Sequence, residues 1–230
     1  MFRIKICGVT QVNDAMDAVN AGADAIGLNF YKQSSRFIDT RAARAIAQAV
    51  RQGRAVKLVG VFVNATVDYI ADLVRECELD AIQLHGDESD SFAWQVADRT
   101  GVPIIRAFAL QKVGAESVVE FCGLPEAKKH LAGVLIDSAL PGQFGGTGVT
   151  ADWGMVADLV KELESSEIPV ILAGGLNPDN VGMAIKTTGA AGVDVASGVE
   201  SAPGIKLKDA IVRFVSTARD HLQGDGSDSF

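Results

Sequence analysis

"RIKICGVTQVND", residues 3–14, runs from a short apolar stretch through a glycine into the start of a helical pattern. A nucleotide-binding doubly wound sheet marks its first strand-to-helix turn with G-x-G-x-x-G, because a pyrophosphate needs close backbone approach there. This turn holds only Gly8 and has no such fingerprint. Another parallel α/β architecture must then account for the rest of the chain.

Seven further runs resemble "RIKIC" at 3–7: "DAIGLNF" at 24–30, "VKLVGVFV" at 56–63, "DAIQL" at 80–84, "VPIIRAF" at 102–108, "AGVLID" at 132–137, "PVILAG" at 169–174 and "AGVDVA" at 191–196. They are mostly continuous rather than alternating, as expected of parallel strands covered on both faces. Between them lie amphipathic helical patterns: Val12, Ala15, Met16 and Val19 fall at i, i+3, i+4 and i+7, and Val67, Ile70, Ala71 and Val74 repeat that spacing. Thr40 is placed to cap a helix that stops at Gly53, and "NPDN" offers Asn177 as N-cap with Pro178 at the first helical position. Leu207, Ala210, Ile211 and Phe214 mark the last long helix, while 111–131 is the least regular stretch. Eight strand-and-helix units suit an α/β (β/α)8 TIM barrel, whose usual size is roughly 200 to 250 residues. The expectation is a single domain over residues 1–222, followed by a disordered tail at 223–230 that includes "GDGSDSF".

Composition narrows the function. With 48% hydrophobic residues in 230, the chain can bury a sizeable core. A net charge of −8 argues against nucleic-acid or anionic-membrane partners, which require clustered Lys and Arg. The start lacks the apolar core of a signal peptide, and charges interrupt every candidate membrane span, so the reading is cytoplasmic. Cys7, Cys77 and Cys122 include no C-x-x-C pair, and His85, His130 and His221 are scattered, so neither a disulfide framework nor a metal site is suggested. No cofactor and no obligatory protein partner is evident.

In a barrel the chemistry gathers at the carboxyl ends of the strands. Those ends carry Cys7, Asn29, Asn64, His85, Arg106, Asp137, the glycines of "AGG" and Asp194. Gly174 and Gly175 close the seventh run, and Ser197 and Gly198 follow the eighth, before "VESAPG", which offers a short extra helix. This is a phosphate cradle in outline: glycine lets backbone N–H groups approach an anion without a lysine. The alternative is that these glycines only turn the chain. The stretch 137–153 after the sixth run is glycine-rich and long for a βα loop, as a lid or ligand contact would be.

Three side chains carry candidate chemistry. Asp137 ends an apolar run, where partial desolvation would raise its pKa as a general acid requires; it also suits a turn cap. Cys7 is a base or nucleophile if a cation or helix start lowers its pKa, and otherwise a small core residue. Arg36, in "QSSRFID", can hold a planar carboxylate with two parallel hydrogen bonds, or simply be exposed. His85 is either a pocket residue or structural, and Cys77 and Cys122 read as helix-borne core.

The series "KICGVT", "VGVFVN", "DAIQLHGDE", "IRAFAL", "LIDSALPGQFGGTGVTADW", "ILAGGLNPDNV" and "GVDVASGVE" resembles the phosphoribosylanthranilate isomerase family over nearly the whole barrel. "AGGL" recurs among phosphate-binding barrels, whereas "KICG" with D-S-x-x-x-G-x-x-G-G-T-G is far more specific. The resemblance implies a cofactor-free Amadori rearrangement of a phosphorylated anthranilate-sugar substrate in tryptophan biosynthesis. It also implies Cys7 as general base, Asp137 as general acid, and Arg36 on the anthranilate carboxylate. Gly174, Gly175, Ser197 and Gly198 would surround the phosphate, and Asp194 would lie near the sugar hydroxyls. The family commonly has Pro before that arginine; Ser35 stands there in this chain, so the loop lacks a fixed backbone angle.

Among other phosphosugar barrels, a ribulose-phosphate epimerase would need a His and Asp metal cluster, and an indole-glycerol-phosphate synthase resembles other lysine and glutamate motifs. A non-catalytic phosphosugar sensor would need neither Cys7 nor Asp137.

Overall fold

The eight apolar runs become eight parallel strands that pair in chain order, and the eighth returns to the first to close the barrel. They are β1 Ile4–Cys7, β2 Ala25–Asn29, β3 Lys57–Phe62, β4 Ala81–Leu84, β5 Ile104–Ala109, β6 Leu131–Asp137, β7 Val170–Ala173 and β8 Gly192–Val195. This structure, a computed structural model, describes residues 2–52, 55–137 and 153–222. The expected tail at 223–230 and all but the ends of the 137–153 loop lie outside the described residues.

Each strand is followed by helix: α1 Val12–Ala21, α2 Thr40–Arg51, α3 Val67–Glu76, α4 Asp90–Thr100, α5 Leu110–Val113, α6 Ala115–Gly123, α7 Pro125–His130, α8 Trp153–Leu163, α9 Val181–Thr188 and α10 Lys208–Leu222. Their buried faces keep helical spacing; in α2, Ala43, Ile46, Ala47 and Val50 lie against the barrel. The irregular stretch 111–131 becomes three short helices. Gly114, at φ 78°, separates the first two, and Pro125 at a helix start opens the third.

Two helix ends differ from the sequence expectation. Asp39, not Thr40, caps α2, its carboxylate accepting from Ala42 N at 2.8 Å; the helix ends at Arg51, and Gly53 lies outside the described residues. Two neighbouring residues were both able to cap, and the ionised acceptor took the position. Likewise α9 begins at Val181 after Asn180. The Asn177 side chain instead accepts from Asp179 N and Asn180 N at 2.8 and 3.1 Å, closing a local turn that keeps Pro178 outside the helix.

Strand alternation divides the core. Ile4, Ile6, Ile26, Leu28, Leu58, Ile82 and Leu84 pack outward under the helices. Phe2, Ala25, Val59, Ala81, Ile105, Leu135 and Ile171 form the apolar floor of the barrel interior. Above that floor the inward positions turn polar, with Lys5 and Cys7 on β1, Gln83 on β4, and Asp194 on β8. Burying such groups is costly unless they find partners, so their positions mark the functional end.

Candidate active site

The polar inward residues open into a cavity of about 590 Å³ at the carboxyl ends of the strands. Cys7, Arg36, His85, Asp137, Gly174, Gly175, Asp194 and Ser197 all line it. The barrel therefore brings together residues that the chain spreads from position 7 to position 197.

Cys7 ends β1 and is register partner to Gly27 on β2. A Cβ at Gly27 would lie 2.6 Å from the Cys7 Sγ, so a glycine is needed beside the thiol. Burial pushes the thiol above its ordinary pKa, and the negative charge of Asp194 adds to this; Lys5 and Lys206 pull the other way without prevailing. The condition under which Cys7 becomes a base is thus half met. Cations are present, but desolvation outweighs them.

Lys5 is fully buried and meets Asp194 Oδ1 at 2.8 Å, its register partner across β1 and β8. The pair is close but poorly aligned for a hydrogen bond, so charge attraction is the dependable part of it. Burial alone would lower the Lys5 pKa, yet Asp194, together with Cys7 in its thiolate form, outweighs burial and raises the pKa. The signal for Lys5 was in the sequence: a charge inside a run that otherwise reads as buried strand.

His85 sits just beyond β4, with Nδ1 2.8 Å from Nε2 of the buried Gln83. Burial lowers its pKa, opposed by the carboxylates of Asp137 and Asp194, and the net direction favours the neutral ring. Asp137 ends β6, in register with Ala173 at the end of β7, and its carboxyl faces the same cavity.

Arg36 reaches the cavity from the loop after β2. Its stem passes directly over Gly8, whose absent Cβ makes the room. Nε and Nη2 donate in a fork to Glu200 Oε1 and Oε2 at 2.8 and 2.7 Å. The loop lacks the family proline, but Ser34 substitutes local bonding: its Oγ accepts from Arg36 N at 3.1 Å and from Asn29 Nδ2 at 3.2 Å.

The glycines after β7 and β8 play two different parts. Gly174 and Gly175 adopt φ 90° and 65° and line the cavity. Gly198 does not line it; a Cβ there would collide with the Leu176 carbonyl oxygen, so its part is to let the two loops close together. Among the described residues, the N–H groups of Gly175, Ser197 and Gly198 make no turn or loop hydrogen bond. The expected extra helix over "VESAPG" is instead a 3-10 turn, Ser197–Val199, followed by a small antiparallel ribbon, β9 Glu200–Ala202 and β10 Ile205–Lys206. Gly204, at φ 81°, turns that ribbon where a helix would have continued.

Other rim residues have structural roles. Arg106 points outward from β5 and is buried, its Nη1 2.7 Å from Glu88 Oε2. Asn64 adopts φ 49° and accepts from Asp87 N at 3.0 Å, bracing the next loop. Burial pushes the thiols of Cys77 and Cys122 up to about 11, in keeping with inert core positions. Glu200 and Lys206, like Lys5 and Gln83, were absent from the candidates read from the sequence.

A family model described as N-(5'phosphoribosyl)anthranilate (PRA) isomerase matches residues 4–217. An N-(5'-phosphoribosyl)anthranilate isomerase of Myxococcus xanthus is 46% identical over 94% of this chain and 96% of its own length. Among solved structures, the phosphoribosyl anthranilate isomerase of Thermotoga maritima is 35% identical, with a TM-score of 0.82 over 96% of this chain and all 100% of that one. Another isomerase structure, in complex with reduced 1-(o-carboxyphenylamino)-1-deoxyribulose 5-phosphate, is 33% identical with a TM-score of 0.77, covering 96% of this chain and 100% of that one.

Proposed function

Because the chain belongs to the N-(5'-phosphoribosyl)anthranilate isomerase family, we propose that Cys7 and Asp137 are the general base and general acid of its reaction. That reaction is the Amadori rearrangement of N-(5'-phosphoribosyl)anthranilate to 1-(2-carboxyphenylamino)-1-deoxyribulose 5-phosphate in tryptophan biosynthesis. The observation that carries the assignment is the meeting of a thiol and a carboxyl group, from β1 and β6, in one cavity.

The Asp137 carboxyl group donates its proton to the furanose ring oxygen. The ring carbon–oxygen bond breaks, and the anilino nitrogen lone pair forms a protonated imine at C1. Its positive charge acidifies C2, and the Cys7 thiolate removes the C2 proton. The C–H electron pair becomes the C1–C2 double bond of an enolamine, which loses its hydroxyl proton and gains one at C1 to give the ketone. Lys5 faces the thiol and opposes the cost of forming a buried thiolate.

Substrate placement follows the same cavity. Phosphate would lie on the N–H groups of Gly175, Ser197 and Gly198, with Gly174 giving it access. Asp194 would accept from the sugar hydroxyls, and Arg36 would hold the anthranilate carboxylate. The ligand is then a phosphorylated anthranilate-sugar, as in the solved relative's complex. No helix among the described residues is long and apolar enough to cross a membrane; the three free, buried cysteines support a reducing, cytoplasmic setting.

The test is Asp137→Asn in a fluorescence assay of substrate consumption, with titration of a reduced product analogue. Turnover falling about 100-fold or more with binding retained is the expected result. Turnover within about twofold of wild type would exclude Asp137 as the acid.

A further inference from the structure

The β9–β10 ribbon carries a buried charge arrangement that the proton transfers do not use. The Glu200 side chain is 4% exposed, and the Lys206 side chain is fully buried beside it at 2.7 Å. The Lys206 ammonium spends its three protons on Glu200 Oε1, on the Cys7 carbonyl oxygen at 2.6 Å and on the Ala196 carbonyl oxygen at 3.0 Å. It therefore bolts the ribbon to the ends of both β1 and β8. Glu200 Oε1 accepts three donors, Lys206 Nζ, Arg36 Nε and Gly204 N, and its Oε2 accepts Arg36 Nη2.

A guanidinium has two edges able to grip a carboxylate, one through Nε and Nη2 and one through Nη1 and Nη2. Glu200 occupies the first. Among the described residues no hydrogen bond engages Nη1, and Arg36 lines the cavity with a quarter of its side chain exposed. The fork prevents rotation about the terminal bonds, and Gly8 below the stem allows it to lie flat. An unsupported arginine on a loop would lose rotamer freedom on binding; here that loss is already taken at folding.

We propose that Glu200, bolted in place by Lys206, is a positioning residue that fixes the open Nη1–Nη2 edge of Arg36 toward the substrate and so sets the preference for an ortho-carboxylate on the aryl ring. This rests on the reading that Arg36 receives that carboxylate. Burial alone would raise the Glu200 pKa, but the hydrogen bonds from Arg36 and Lys206 outweigh it, so the carboxylate stays ionised to orient the guanidinium.

Two inhibitors test the proposal: the reduced anthranilate-sugar phosphate and its counterpart lacking only the ring carboxylate. The readout is the ratio of their inhibition constants in wild type, Glu200→Gln, the charge-balanced Glu200→Gln with Lys206→Met, and Arg36→Ala. A general loosening of the site would weaken both inhibitors and leave the ratio where it was. In both Glu200 variants the expected ratio falls about tenfold, approaching that of Arg36→Ala. If Glu200→Gln does not fold, the double variant, which replaces a buried pair together, decides. Loss of discrimination in Arg36→Ala with full discrimination in the Glu200 variants would overturn the positioning role alone. Full discrimination in Arg36→Ala would overturn the carboxylate reading and the positioning role with it.

Discussion

Lys5 and Asp194 are register partners on the two strands that close the barrel, and their side chains meet at 2.8 Å beneath Cys7. The same pair bears on the thiol with opposite signs: Asp194 raises its pKa and Lys5 lowers it. Their balance governs how much thiolate the site can hold.

A pH profile follows from that balance. Because the thiol is raised above its ordinary value, alkylation of Cys7 by iodoacetamide should accelerate only as the pH rises well into the alkaline range, the thiolate being the reactive form above its pKa. Lys5→Met removes a charge that lowers this pKa, so the ascending limb should move to higher pH. It should also cost about 3–5 kcal/mol of stability, since Asp194 is left buried and unpaired. Adding Asp194→Leu should restore much of the stability without restoring activity. An unshifted limb in Lys5→Met would count against the electrostatic role.

Gly27→Ala should damage activity more than stability. Its new methyl would press on the Cys7 Sγ, 2.6 Å away in ideal geometry. A displaced base costs rate out of proportion to the shift, so kcat should fall about 100-fold while melting changes modestly. Equal kcat in the folded variant would show that the thiol has room to spare.

Gly198→Ala should weaken phosphate binding through the backbone, because its added methyl meets the neighbouring loop. The added Cβ meets the Leu176 carbonyl oxygen, which must move, and the loop after β7 moves with it. The expected result is a rise in KM of about tenfold and weaker inhibition by inorganic phosphate. Unchanged phosphate inhibition would separate Gly198 from the cradle.

The strands were legible because barrel strands covered on both faces leave continuous apolar runs; six of the runs contain their strand, and β5 and β6 each pass the bounds of theirs by a single residue. The rim was only partly legible. Arg106 and Asn64 stand near strand ends, but Arg106 faces outward to Glu88, and Asn64 is spent on a loop turn. Strand parity separates inward from outward only once the register is known. Lys5 announced itself as a charge in an apolar run, whereas Glu200 acquires its partner Arg36 across 164 positions, a distance over which periodicity carries no information. The helix starts slipped because adjacent residues, such as Asp39 and Thr40, can both cap.

Cys7 as the group that removes the C2 proton is the claim on which the rest depends. Single-turnover fluorescence decay of the substrate on purified, folded Cys7→Ser measures it most directly. The account predicts a rate about 100- to 10,000-fold below wild type, with the reduced product analogue still bound. A rate within about threefold of wild type would contradict it, since a serine hydroxyl at this position is far too weak a base to replace the thiolate.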